Sequence, residues 1–151
     1  MTTDRIYKVD VSILLRPVQS SNKSPTCRIS LNNEIIDTTL TADTWFDFTY
    51  SNVADTSVKL IVEHYGKVDS DTTANSDVAV IVEQIKFNGI ASPRFVWEGI
   101  YRPNYPEHLK DSPAELRHAN YLGWNGIWSL GFTLPIFTWI HKVEGLGWIY
   151  D

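Results

Sequence analysis

Polar and apolar positions alternate with a period of two through the first ninety or so residues. In "YKVDVSILL", Val9, Val11, Ile13 and Leu15 fall on one face and Lys8, Asp10 and Ser12 on the other, the pattern of a half-buried strand. "TWFDFTY" repeats it, with Phe46, Phe48 and Tyr50 against Trp45, Asp47 and Thr49. In "CRISLNNEIIDTTL", Asn32-Asn33 separates two β-type runs and predicts a hairpin turn, because Asn tolerates left-handed backbone. "SVKLIVEHY" and "DVAVIVEQIKF" are rich in β-branched residues and predict two long strands. In the second, Ile81, Ile85 and Phe87 share one face and Val78, Val80 and Val82 the other. Two apolar faces predict a central strand, or one covered by another subunit. Asn88-Gly89 then predicts a tight turn.

Helical periodicity is absent from this region. "SPAELRHA" is the helical candidate, with Ser112 as N-cap, Pro113 at the first helical position and Glu115 completing a capping box. After Ala91 the character changes. "ASPRFVWEGIYRPNYPEHLKDSP" carries Pro93, Pro103, Pro106 and Pro113, and so many prolines do not suit a regular central strand. The chain resumes as the extended pieces "IWSLGF", "IFTWIH" and "GWIYD", broken by glycines and Pro135. The expected architecture is all-β: a jelly-roll-like antiparallel β-sandwich over residues 5–89. A Pro/Trp-rich C-terminal extension over 90–151 packs on the sandwich and on a partner.

Composition narrows the function. A net charge of −5 without a basic run argues against nucleic acid, whose phosphates are bound by clustered Lys and Arg. Residues 120–140 hold no charged residue, yet polar groups, glycines and Pro135 interrupt them, so no membrane span is expected. The N-terminus lacks a basic segment followed by an apolar block, which reads as synthesis in a cytoplasm. Cys27 is the one cysteine and is expected as a small buried hydrophobe. Asp69, Asp71 and Asp77 offer oxygens to a hard cation, but an EF-hand loop counted from Asp69 would place Ala74 and Val80 where Gly and Glu belong. A solvated loop without metal is expected, and no cofactor. The four histidines lack metal-type spacing, and no nucleophile or phosphate-loop motif occurs. The chain reads as a non-enzyme.

The aromatic content, 13% with six Trp, has two uses. Trp and Tyr beside Asn, Glu and Arg, as in Trp97-Glu98, Tyr101-Arg102, Asn104-Tyr105, Trp124-Asn125 and Trp128, suit stacking on a sugar. The same rings also suit a core or subunit interface.

The succession "LIVEHYGKVDSDT", "DVAVIVEQIKFNGI", "FVWEGIYRPNYP" and "NYLGWNG" resembles small virion-associated proteins of T4-like tailed phages of marine cyanobacteria. The first half also resembles jelly-roll carbohydrate-binding modules. The first resemblance implies a structural protein of tail, baseplate or capsid surface, made in the host cytoplasm and resident in the virion. Its partners would be other virion proteins and further copies of itself. Trp97, Tyr101, Trp124, Trp128 and Trp139 are then the expected interface anchors. The alternative is a carbohydrate-binding module recognising a host-surface glycan.

Overall fold

The computed structural model describes residues 5–145, so the expected piece "GWIYD" lies outside the described residues. The chain forms, in order, β1 (Ile6–Val18), β2 (Thr26–Leu31), β3 (Glu34–Thr39), β4 (Thr44–Val53), β5 (Ser57–Tyr65), β6 (Ala79–Phe87) and β7 (Ile90–Ala91). Helix α1 (Pro93–Trp97) follows, then β8 (Ile100–Pro103), β9 (Leu116–Arg117), β10 (Tyr121–Leu122), β11 (Gly126–Thr133) and helix α2 (Ile136–Val143). Two antiparallel sheets pack face to face. One runs β10-β6-β1-β4 with β7 paired to β6, and the other β3-β2-β5-β11-β8-β9. The protein is an all-β sandwich of jelly-roll-like kind.

The alternation reads directly into the core. Val9, Val11, Ile13 and Leu15 are fully buried, and Phe46 and Phe48 nearly so. Asn32 and Asn88 both take positive φ, 51° each, in the β2–β3 and β6–β7 hairpins. Strand β6 is central, as its two apolar faces imply, but the reason differs. The register with β1 slips between Leu14 and Leu15, pairing Leu14 with Gln84 and Leu15 with Val82. This bulge at Glu83 switches the parity of the strand. Val80 and Val82 before it, and Ile85 and Phe87 after it, therefore all enter the same core.

Three expectations are corrected. The boundary between 5–89 and 90–151 does not divide the fold. Strand β11 lies between β5 and β8, paired to β5 over its full length, and Trp128, Leu130 and Phe132 complete the core. "SPAELRHA" is not helical; Leu116–Arg117 pairs with β8. Glu115, needed for the capping box, instead accepts both Nε (3.0 Å) and NH2 (2.9 Å) of Arg102. "IFTWIH" is α2 rather than an extended piece. Ile136, Trp139 and Ile140 stand at helical spacing and are buried, so a 3.6-residue period overrides the β-propensity of the individual residues.

Candidate functional site

Strands β5 and β8 finish, and β11 begins, at one end of the six-stranded sheet. Gly126 stands opposite both His64 and Pro103. Its φ is +152°, and a Cβ there would lie 2.4 Å from the Arg102 carbonyl oxygen, so the approach of β11 to β8 admits only glycine. The preceding residues are held by side chains from both flanks. The buried Tyr101 phenol accepts the Trp124 N–H at 3.0 Å and donates to the Trp124 carbonyl. The Asn125 amide accepts the Lys67 N–H at 2.9 Å and donates to the Lys67 carbonyl at 2.8 Å. The backbone that carries Trp124 is thereby fixed.

Beneath Trp124 lies an ion pair. The Lys67 side chain is 1% exposed, and its ammonium sits 2.6 Å from Asp77 Oδ1. It also donates to the Gly123 carbonyl and lies 4.1 Å from the Trp124 ring centroid, within cation–π range. Asp77 Oδ1 further accepts from Thr72 at 2.7 Å and from the Val78 N–H at 2.8 Å, and Oδ2 accepts the Tyr121 hydroxyl at 2.5 Å. Burial disfavours the carboxylate, but bonds from Lys67, Tyr121 and Thr72 outweigh it and hold the Asp77 carboxyl below its ordinary range. The Tyr121 phenol is pushed up by burial and by the adjacent Asp77 charge. Tyr105, Tyr121 and Trp124 line a pocket of about 320 Å³ over this network, with Thr72 and Asp77 among its walls.

The acidic loop carries its own cations. As Lys67 takes Asp77 and the Gly123 carbonyl, so Lys23 takes Asp71 Oδ2 at 2.6 Å and the Gly66 carbonyl at 2.8 Å. Each ammonium thus holds the carboxylate-plus-carbonyl oxygens that a hard cation would seek. Asp69 lies 3.5 Å from His108 Nδ1. Among the described residues no group of three or more His, Cys, Asp or Glu is placed to hold a metal.

A second depression, about 650 Å³, lies on the outer face of the six-stranded sheet; it shares no residue with this pocket, but Gly66, Asn104 and Asn125 in its wall are chain neighbours of Lys67, Pro103 and Trp124. Alternation supplies its floor, because the inward residues of β5 and β11 are core and the outward ones, Lys59, Ile61, Glu63, Ile127 and Ser129, line it. Arg102 and Asn104 form the β8 side.

The five expected anchors separate. Trp128 is fully buried and Tyr101 is 1% exposed. Trp139 is 9% exposed and packs on Phe87, Phe95 and Phe132 with centroids 5.4, 5.8 and 6.0 Å away. These three rings are buried in the sandwich, where the expectation had them exposed as interface anchors; their place is in the core. Trp97, on α1, is 39% exposed but lines neither depression. Trp124 and Tyr101 line the same pocket, the first partly exposed and the second buried, and Trp139 borders a separate hollow. Lys67 and Tyr121 were not legible in the sequence as site residues. A lysine in "YGKVDSD" reads as solvated loop until the fold buries it.

No protein family matches the chain, and no curated protein is similar to it. Among solved structures, the chain is similar to vCBM60 in complex with galactobiose, at 13% identity and a TM-score of 0.48, covering 81% of this chain and 97% of that one. It is also similar to a selenomethionine form of vCBM60 described as a circular-permutation link between two families of calcium-dependent carbohydrate binding modules. There the identity is 17% and the TM-score 0.49, over 82% and 90% of the two chains. Both neighbours are carbohydrate-binding modules. Similarity this distant says nothing of what the present chain binds, which must be argued from its own residues.

Proposed function

We propose that the protein is a non-enzymatic carbohydrate-binding module that docks a sugar at the Trp124 pocket. One observation carries the reading: Tyr105, Tyr121 and Trp124 line one pocket with the ionised Asp77 carboxylate, on a backbone already fixed by Tyr101 and Asn125. A pyranose offers apolar C–H faces to rings and hydroxyls to acceptors. Asp77 Oδ2 accepts a single bond among the described residues, from Tyr121, which leaves it a lone pair for a sugar hydroxyl. Fixing the loop beforehand lowers the ordering cost of binding. The virion-assembly reading keeps only Trp97 and Trp124 of its five expected anchors. It needs aromatics exposed on the isolated subunit, and Tyr101, Trp128 and Trp139 are committed to the core.

The test is titration with a panel of neutral and acidic oligosaccharides, followed by tryptophan fluorescence and calorimetry. Trp124→Ala is expected to weaken binding at least about tenfold, the loss typical of an aromatic anchor, with an unchanged circular dichroism spectrum. Trp97→Ala should bind as the unmodified protein does. If no glycan binds, or Trp124→Ala and Tyr121→Ala bind normally, the reading fails.

A further inference from the structure

The outer face of the six-stranded sheet holds more than the depression beside Trp124. A second hollow of about 410 Å³ lies at the other end of the same two strands. The two hollows share Lys59 in their walls. Together they follow the β5–β11 pair from Gly126 opposite His64 to Thr133 opposite Ser57, a run of about 25 Å at the usual rise per strand residue. The outward positions of β11 shrink along this path, from Ile127 to Ser129 to Gly131. A Cβ on Gly131 would meet nothing within 4 Å, so the floor there is bare backbone. The two hollows meet at Lys59 along a path long enough for several sugar rings.

The charge of this path changes along its length. Near Trp124 it is mixed: Glu63 lies 3.7 Å from Arg28, and Arg102 is paired with Glu115. At the far end the charged groups in the wall are Lys59, from β5, and Lys142, from α2. Neither ammonium has a carboxylate partner among the described residues; the remaining wall combines neutral polar groups (Asn32, Ser57, Thr133) with the apolar Val58, Phe132 and Trp139. In a chain of net charge −5, two cations left unpaired across one hollow form a local anion site.

We infer that the two hollows take an acidic oligosaccharide, with Lys59 and Lys142 clamping a carboxylate or sulfate group of a sugar unit remote from Trp124. This rests on the glycan-binding reading and specifies its substrate class. Ammonium groups donate charge-assisted bonds to such anions, and solvent exposure makes the attraction dependent on salt.

The experiment compares three probes on the full chain: oligogalacturonate, a heparin-derived oligosaccharide and a neutral xylo-oligosaccharide. Each is titrated at low and high salt, with inorganic sulfate alone as a further arm. At least one acidic oligomer is expected to bind more tightly than the neutral one and to weaken as salt rises. Lys59→Gln with Lys142→Gln should weaken that acidic ligand at least about tenfold and weaken any neutral ligand far less. Gly131→Tyr, which fills the bare floor, should obstruct acidic oligomers without touching the lysines. If glycans bind but acidic ones gain nothing from the lysines, the inference is overturned while the glycan reading stands. If inorganic sulfate binds as tightly as the acidic oligomers, the site is a simple anion site and the inference falls. Failure of every glycan to bind sinks both.

Discussion

His64 carries its imidazole into the interior at 1% exposure, where Nδ1 donates to the Leu122 carbonyl at 2.9 Å and Nε2 has no hydrogen-bond partner among the described residues. Burial lowers its proton affinity, and the nearby Lys67 charge adds to the effect. A histidine held neutral in the fold but free to protonate in the unfolded chain costs stability as pH falls below its ordinary value of 6.5, because the unfolded state then binds more protons. The loss grows until the folded pKa is reached. Thermal unfolding should therefore show stability falling between pH 7 and pH 5, with a shallower slope in His64→Gln; identical slopes would contradict this. Cys27, directly across the β2–β5 pair from His64, has its thiol pushed up to about 12 by burial and by Asp37, so it is an inert packing group, as its context in "TCRISL" implies. The Lys67–Asp77 pair was not so legible. Its partners lie ten residues apart in sequence, and only the closure of the loop over Trp124 puts them 2.6 Å from each other.

Strands rather than helices were readable from local pattern, and each miss has a tertiary cause. Period-two alternation specified β1 and β4, because one face of each meets the core, and β-branched content specified β5. β6 showed two apolar faces because a bulge changes its parity, and a bulge is set by the partner strand rather than by propensity. Between β8 and β11 a different constraint operates. Gly99 precedes β8, and a Cβ there would stand 2.2 Å from the Trp128 indole, well inside any contact distance. Gly99→Ala should displace Trp128 and destabilise the protein by about 1–3 kcal/mol, as overpacking does, measured by chemical denaturation. A midpoint unchanged from the parent would show that the indole has room to move.

At the scale of the whole molecule, the aromatic tail of the sequence is the interior of the fold. Strand β11 sits between β5 and β8, and α2 adds Trp139 to the ring cluster around Phe87. A chain ended after Ala119 loses β10, β11 and α2, so it is expected to be unfolded by circular dichroism and proton spectra. A soluble, cooperatively folding fragment would restore a separable extension. The sequence by itself determined the fold class, the core faces of the early strands and the two Asn hairpins, since these follow from short-range periodicity and backbone preference. It also determined that Trp and Tyr would matter. Which rings are core and which line a site was decided by tertiary structure alone. Trp124 and Trp128 stand four residues apart in nearly uncharged surroundings, and only the docking of β11 between its neighbours turns one inward and leaves the other over the ion pair.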